Sequence, residues 1–313
     1  MPTKPPIYHL AIHYFLAVSL LLFLFFYPGQ NFYQTFTPHS SPQIIPVPSL
    51  KPTANRPISH HLPRPRFTAR AIVAQDLDSK TILFLKNPNT RLYPASTTKI
   101  MTALVSLATY KNLDQVVTIT DENLAIGHKM GLKAGEKISL RSLIKGLLIA
   151  SGNDAALALA KHHPQGYAGF IKAMNLKAKS LGLTHTHYTN PSGVEERDHY
   201  TSARDLAVLT TVALKFPFLR QIVQTKTITL ISADGKIKHH LHNTNLLLGK
   251  VAGVEGFKTG WTPQAGECLV TLIERHRHPI VIVLLGSQDR FGETTRLIDW
   301  LYRNYSWYNE THD

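Results

Sequence analysis

Apolar residues recur with two different periods along the chain, and both are clearest between residues 70 and 305. Repeats of three to four residues predict helices, whereas short apolar runs bounded by turn residues predict strands. The predicted helices are residues 94–110, 140–150, 154–163, 166–181, 202–215 and 293–305, and the predicted strands are residues 70–76, 81–86, 226–231, 236–241, 256–261, 267–274 and 280–286. Strands at both ends with helices between them favour an α+β fold, in which helices flank one antiparallel five-stranded sheet and a helical lobe is inserted.

A second apolar pattern lies near the amino terminus, where residues 8–27 contain no Lys, Arg, Asp or Glu and are rich in Leu and Phe. As a helix this segment would span about 30 Å, the thickness of a bilayer core. A cleaved signal peptide is the competing interpretation, but no alanine occurs between Ala17 and Ala54 to form a small-residue cleavage site. The sequence therefore favours an uncleaved transmembrane anchor.

The charges around this segment predict its orientation. Lys4 and the amino terminus precede it, and no Lys or Arg follows until Lys51. We therefore expect residues 1–7 in the cytoplasm and the remainder on the periplasmic or extracellular side of the cytoplasmic membrane. Nine prolines in residues 28–66 predict an extended tether, which leaves residues 67–305 as the folded domain and 306–313 as a tail.

Composition adds a strong positive charge and excludes an intrachain disulfide. The net charge is +14, and from Ala71 onward 28 basic residues face 20 acidic ones. This balance favours anionic partners such as phospholipid head groups or wall polymers, although charge for solubility alone is an equal alternative. The membrane segment argues against nucleic acid as the partner. Cys268 is the single cysteine, and its apolar neighbours predict a small buried hydrophobe.

Candidate chemistry begins with Ser96-Thr97-Thr98-Lys99. On a helix, residues three apart share one face, so Lys99 could take a proton from Ser96. It can do so only when neutral, and burial and a second cation, for which Lys258 is the candidate, both lower the pKa of a lysine. Taken alone, the motif is better explained by Ser96 as an ordinary helix cap.

Two further strings follow in order. Ser151-Gly152-Asn153 lies on a predicted turn, where the hydroxyl could relay a proton and the Asn153 amide could bind a substrate amide. Lys258-Thr259-Gly260 lies on a predicted strand, where Gly260 permits a close backbone approach. Helix capping and an ordinary edge strand are the alternatives for each string by itself.

All three strings together, in this order, resemble the low-molecular-mass penicillin-binding proteins that are serine-type D-alanyl-D-alanine carboxypeptidases. The resemblance runs from about residue 67 to 305 and implies a fold like that of DD-peptidases and β-lactamases. It is carried by residues 93–102, 151–156, 189–193, 200–207 and 256–262.

The resemblance also implies a role for each motif residue. Ser96 is the expected nucleophile, Lys99 its base and Ser151 a proton shuttle. Asn153 is expected to hold the substrate, the Ser96 and Trp261 N–H groups to form the oxyanion hole, and Lys258, Thr259 and Thr262 to bind the terminal carboxylate beside Gly260. No metal or cofactor is implied. The expected substrates are peptidoglycan stem peptides ending in D-Ala-D-Ala, and β-lactams are the expected inhibitors.

Several alternatives remain open at the level of sequence. A class A β-lactamase needs a deacylating glutamate, and the acids of the plausible loop, Glu195, Glu196 and Asp198, do not resemble that segment. An endopeptidase acting on cross-links would use the same residues. A non-catalytic wall-binding or penicillin-sensing module would not need them. The histidines at 185, 187, 239, 240 and 242 are interpreted as surface residues rather than metal ligands, since no carboxylate motif accompanies them.

Overall fold

The computed structural model describes residues 15–20, 22, 56–121 and 127–307. The chain divides into two units, residues 1–50 and 51–313. In the first unit, residues 15–20 and 22 are helical. The rest of the predicted anchor, the predicted cytoplasmic residues 1–7, the tether up to residue 55 and the last six residues lie outside the described residues. Within the described part, no single helix has the length and hydropathy of a membrane span, and one pair bent by 109°, residues 203–213 with 217–224, meets the criterion together.

The second unit is built from seven α-helices and eleven strands within its described residues. The strands are β1 (Pro57–Ser59), β2 (Ala71–Asp76), β3 (Ile82–Lys86), β4 (Val116–Thr118), β5 (Lys137–Ser139), β6 (Thr227–Ile231), β7 (Lys238–His242), β8 (Val254–Thr262), β9 (Gly266–Arg275), β10 (His278–Ser287) and β11 (Tyr305–Trp307). The helices are α1 (Lys99–Thr109), α2 (Leu140–Ile149), α3 (Asn153–Lys161), α4 (Gly166–Ser180), α5 (Ala203–Ala213), α6 (Pro217–Gln224) and α7 (Arg290–Asn304).

A five-stranded antiparallel sheet organises the unit, with the strand order β3-β2-β10-β9-β8. Successive side chains of a strand point to opposite faces, and β10 shows the consequence. Val281, Val283 and Leu285 join the core cluster on the side of the helical lobe, whereas Ile280, Ile282 and Leu284 join the cluster under α7. Both faces are therefore buried, and the predicted mixed α and β fold with a five-stranded antiparallel sheet is confirmed.

The helical lobe lies between β3 and β8 in sequence and supplies most of the first core cluster. Helix α1 is buried along most of its length, from Lys99 to Ser106. Its apolar side chains pack with those of α2, α3 and α4, among them Leu147, Leu159 and Phe170. A helix enclosed in this way holds the residues of its first turn in a fixed position, which matters for the site described below.

Two segments pair outside the predicted domain boundaries. Strand β1, which the sequence places in the tether, is antiparallel to β11, which extends into the predicted tail. The indole nitrogen of Trp300 donates to the Pro63 carbonyl oxygen at 2.8 Å, and the Leu62 N–H donates to Asn304 Oδ1 at 2.7 Å. The ordered unit therefore begins about ten residues before residue 67, because residues 57–66 pack on the sheet edge and on α7.

Candidate active site

The first motif forms the junction between a 3₁₀ turn, Ala95–Thr98, and helix α1. Lys99 is fully buried, and its Nζ lies 2.8 Å from Ser96 Oγ. The predicted pairing of these two side chains is therefore present. It arises because residues three apart on a helical turn project to one side, and because the buried helix behind them leaves Lys99 one direction in which to extend.

Two further acceptors surround the Lys99 amine. Asn153 Oδ1 lies 2.8 Å and the Ser192 carbonyl oxygen 2.7 Å from Nζ. A neutral amine has two hydrogens and one lone pair, so these oxygens can take both hydrogens and leave the lone pair for the Ser96 hydroxyl. Burial, and next the charge of Lys258, hold the pKa of Lys99 well below its ordinary value, whereas Asp154 opposes the shift. The geometry and the charges both suit a general base.

The second and third motifs meet on the other side of the nucleophile. Ser151 has a left-handed backbone, with φ of 58°. Lys258 Nζ donates to Ser151 Oγ at 2.9 Å and to the Thr259 carbonyl oxygen at 3.0 Å. Burial, followed by the charge of Arg290, lowers the pKa of Lys258 to about 7. Lys258 can therefore gain or lose a proton near neutral pH while it lies within hydrogen-bond distance of the Ser151 hydroxyl.

Strand β8 approaches the nucleophile turn very closely at Gly260. A Cβ atom at this position would lie 3.0 Å from both the Ser96 amide nitrogen and the Ala95 Cβ. Only glycine leaves this space free without displacing the turn. The approach brings the Ser96 N–H beside the strand that continues into Trp261, as the predicted oxyanion hole requires.

A cavity of about 250 Å³ opens between these elements. Five predicted residues line it: Ser96, Ser151, Thr259, Gly260 and Trp261. Five residues that sequence reasoning did not identify also line it: His128, Thr244, Leu246, Arg290 and Phe291. The cavity is thus polar around Ser96 and Thr259 and apolar at its rim, where the Trp261 side chain is 58% exposed.

Four predicted site residues, Lys99, Asn153, Lys258 and Thr262, lie beside this cavity rather than on its wall. Lys258 is buried beneath it. Asn153 borders a second cavity of about 260 Å³ that also contacts Tyr167 and Glu196. Thr262 Oγ1 accepts a hydrogen bond from the Ala265 N–H at 3.1 Å, so its hydroxyl serves the turn between β8 and β9. In this structure Thr259 lines the cavity and Thr262 does not.

Arg290 is the functional candidate that the sequence analysis missed. Its Nη1 donates to the Gly260 carbonyl oxygen at 2.8 Å, and its guanidinium carbon lies 4.8 Å from the centroid of the Phe291 ring. These contacts hold a cation on the cavity wall next to Thr259, a combination that suits a carboxylate. The available signal was weak, since Arg290 follows Asp289, the N-cap of α7, and belongs to no motif.

Two of the remaining candidate residues, Glu195 and His239, have structural partners. Glu195 Oε1 accepts from the Gln264 N–H at 2.7 Å, so this carboxylate is committed to the β8–β9 turn. His239 is buried, with Nε2 2.6 Å from Glu136 Oε1, and its assignment to the surface was wrong. Within the described part of the chain, no group of His, Cys, Asp and Glu is arranged to hold a metal ion. Cys268 is buried as predicted, and burial raises the pKa of its thiol to about 11.

Comparison with known proteins agrees with this geometry. A family model described as D-alanyl-D-alanine carboxypeptidase matches residues 58–289. A D-alanyl-D-alanine carboxypeptidase of Bacillus subtilis is 35% identical over 252 residues, which are 78% of this chain and 64% of that protein. The chain thus spans slightly less than two thirds of that relative.

A D-alanyl-D-alanine endopeptidase of Pseudomonas aeruginosa is 32% identical over 259 residues, covering 81% of this chain and 82% of that protein. The crystal structure of the Streptomyces K15 DD-transpeptidase matches with a TM-score of 0.73 at 32% identity, over 77% of this chain and 100% of that one. Proteins similar to this chain therefore carry both carboxypeptidase and endopeptidase names.

Proposed function

Because the chain belongs to the D-alanyl-D-alanine carboxypeptidase family of serine peptidases, we propose that it removes the terminal D-alanine from peptidoglycan stem peptides ending in D-Ala-D-Ala. The observation that carries this proposal is the buried Lys99 amine 2.8 Å from Ser96 Oγ, beside a cavity lined by Thr259 and Arg290. A peptide that ends in a free carboxylate complements these last two residues.

The first chemical step is acyl transfer to Ser96. Lys99 Nζ takes the hydroxyl proton while Oγ attacks the carbonyl carbon of the penultimate D-alanine. The developing oxyanion is expected to lie against the Ser96 and Trp261 N–H groups, where Gly260 allows the strand to approach. Arg290 and Thr259 hold the terminal carboxylate on the leaving side.

Departure of D-alanine requires one proton at its nitrogen. Ser151 donates its hydroxyl proton to this nitrogen as the C–N bond breaks, and the Lys258 ammonium 2.9 Å away restores it. Exchange with water returns both lysines to their starting states. In the second half of the reaction a water molecule attacks the ester, Lys99 accepts its proton, and Ser96 leaves and is reprotonated.

The test of this function uses two purified substrates and the full chain. Release of D-alanine from an uncross-linked pentapeptide muropeptide is the expected result, with a penicillin adduct localised to Ser96 by mass spectrometry. Ser96→Ala should abolish both. Ser106→Ala is the matched control, because Ser106 lies on the same helix, is buried and has no hydrogen-bond partner for its hydroxyl in the described structure.

Two other outcomes would redirect the assignment. Cleavage of a cross-linked dimer without release of D-alanine from the monomer would replace carboxypeptidase by endopeptidase activity, which the Pseudomonas aeruginosa relative makes the second candidate. Rapid turnover of a chromogenic cephalosporin would indicate a β-lactamase instead.

We further propose that residues 8–27 anchor the enzyme in the cytoplasmic membrane with residues 28–55 as a spacer. The length and apolar composition of this segment support the assignment. The full chain should sediment with membranes, resist carbonate extraction and retain Met1. Recovery of a soluble form beginning after residue 27 would show that the segment is a cleaved signal peptide.

A further inference from the structure

We propose that His199 is a positioning residue for the acylation step, because it links the nucleophile turn to the loop whose Ser192 carbonyl oxygen orients Lys99. The inference rests on the proposed function and adds a residue that belongs to none of the three motifs. It is carried by the hydrogen bonds of one buried imidazole.

His199 bridges two segments that are distant in sequence. Its Nε2 lies 2.9 Å from Thr98 Oγ1, and its Nδ1 accepts from the Thr189 N–H at 3.0 Å. Since Thr189 contributes a backbone donor, Nδ1 must be unprotonated and Nε2 must carry the hydrogen that is donated to Thr98. Burial lowers the pKa of His199 to about 4, so the imidazole keeps this neutral form at neutral pH.

Each end of this bridge lies next to a partner of the general base. Thr98 directly precedes Lys99 on the nucleophile turn, and Thr189 lies three residues before Ser192. Ser192 supplies the carbonyl oxygen 2.7 Å from Lys99 Nζ. The imidazole therefore fixes the position of an acceptor relative to the amine that it orients.

The direction of the Lys99 lone pair depends on this acceptor. The two hydrogens of the neutral amine go to Ser192 O and Asn153 Oδ1, which leaves the lone pair toward Ser96. If the Ser192 carbonyl moves away, the amine can rotate and direct a hydrogen at Ser96 instead. Misplacement by about 1 Å is enough to reduce a rate by about a hundredfold.

The loop that contains Thr189 and Ser192 accepts a hydrogen bond from Lys99 of α1. Among those described it has one other bond with an α1 side chain, from Thr102 Oγ1 to the Pro191 carbonyl oxygen at 2.6 Å. Gly193 also packs directly against the Ala95 carbonyl oxygen, so closely that a Cβ atom would overlap it. The loop is thus pressed onto the nucleophile turn, and loss of His199 should loosen its Thr189 end without releasing it entirely.

The test compares His199→Gln with His199→Leu in the full chain. Gln can present an oxygen to the Thr189 N–H and an N–H to Thr98, so it preserves the polarity of both bonds, whereas Leu preserves neither. His199→Leu should lower the first-order acylation rate constant with penicillin by about tenfold to a hundredfold and leave the non-covalent binding constant within about twofold. His199→Gln should stay within about threefold of the wild type.

A control separates this effect from loss of a buried histidine in general. His278, the first residue of β10, is also buried, but its ring stacks on that of Trp307, with 4.8 Å between the ring centroids. His278→Leu should lower the melting temperature and leave acylation unchanged. If His199→Leu does not fold, Thr98→Val removes the same hydrogen bond from its other end with little change of shape, and Thr98→Ser should restore the rate.

Three results would overturn the inference. They are wild-type acylation in both His199→Leu and Thr98→Val, equal loss in the Gln and Leu variants, and a loss confined to the binding constant. Failure of the wild-type chain to be acylated would instead remove the proposed function itself, so the two failures are distinguishable.

Discussion

Two buried lysines of this protein have different roles because their neighbours differ. Lys99 contacts oxygens that accept hydrogens, and the positive charge of Lys258 acts on it. Lys258 contacts a hydroxyl, and the positive charge of Arg290 acts on it. The pKa of each lysine is lowered by burial first and by the next cation second. The charge of Arg290 thus lowers the pKa of Lys258, and the charge of Lys258 lowers the pKa of Lys99, the base.

Removal of the middle cation should move the pH dependence of acylation. Acylation rises with pH as Lys99 loses its proton, and the charge of Lys258 disfavours the protonated form. Lys258→Gln therefore raises the pKa of Lys99, and the acidic limb of the acylation profile should move to higher pH, with a maximum rate lower by about a hundredfold or more. The rate of labelling by a fluorescent penicillin, followed from about pH 4 to about pH 10, measures this shift.

Lys236→Gln is the matched control for this measurement, because Lys236 is an exposed lysine in the β6–β7 turn. Its profile should coincide with that of the wild type. A Lys258→Gln profile that stays in place or moves to lower pH contradicts the assignment of Lys99 as the base.

At the scale of residues, the sequence predicted the site residues that lie within the three motifs. It did not predict the residues that tertiary structure brings next to those motifs. Ser96 was predicted to pair with Lys99, and Lys258 was predicted to act on Lys99 as a second cation. Arg290 could not be found, because its place on the cavity wall depends on where β10 ends and α7 begins. Thr262 was assigned to the carboxylate from the motif alone, but its hydroxyl bonds within the turn.

At the scale of elements, the site depends on how closely β8 lies to the nucleophile turn. The φ angle of Gly260 is not in the left-handed region, so its requirement for glycine comes from the neighbouring Ser96 and Ala95 and not from its backbone. The strand can approach because β8 is an edge strand whose outer side is free to meet the helical lobe.

Gly260→Ala should therefore reduce acylation by about tenfold or more while destabilising the fold by about 1–3 kcal/mol, as expected when one methyl group is forced into a filled space. Stopped-flow acylation and urea denaturation measure the two effects. Gly235→Ala is the control: its φ is 76° and it has open space around it, so it should lose stability and keep the rate. Wild-type acylation by Gly260→Ala would show that the approach is not required.

The long elements were predictable from periodicity, and the short ones were not. Strands β2, β3, β6, β7, β8, β9 and β10 and all helices but α6 were identified. Helix α6 does carry a usable signal, Pro217 at its first position followed by the buried Leu219, Ile222 and Val223 at helical spacing. Strands of three residues such as β1 and β4 have no period to detect, and they exist because a distant partner pairs with them.

At the scale of the whole unit, the two ends of the described fold are joined. Trp307 stacks on His278 at 4.8 Å, and its Nε1 donates to Asp76 Oδ2 at 2.9 Å. It thereby fastens β11, and with it β1, to the central sheet on the face away from the helical lobe. Asp76 is fully buried, so this bond satisfies a carboxylate oxygen that water does not reach.

Trp307→Ala should lower the free energy of unfolding by about 2–4 kcal/mol, since it removes a packed aromatic ring and a hydrogen bond to a buried carboxylate. Acylation of the folded variant should equal that of the wild type, because the change lies on the other face of the sheet. Thermal and urea denaturation beside penicillin labelling provide the measurement. Loss of labelling in the folded variant would mean that the strand pair also supports the site.

The antiparallel pairing of β1 with β11 determines how the fold responds to mechanical load. Tension applied at residue 56 would act first on the pair Pro57–Trp307 and then on Ile58–Ser306 and Ser59–Tyr305, one rung after another. Because these pairs separate one at a time, the strand pair would open before tension reached the central sheet. The β1–β11 pair would then extend under tension, while Ser96 and its neighbours keep their positions in the central fold.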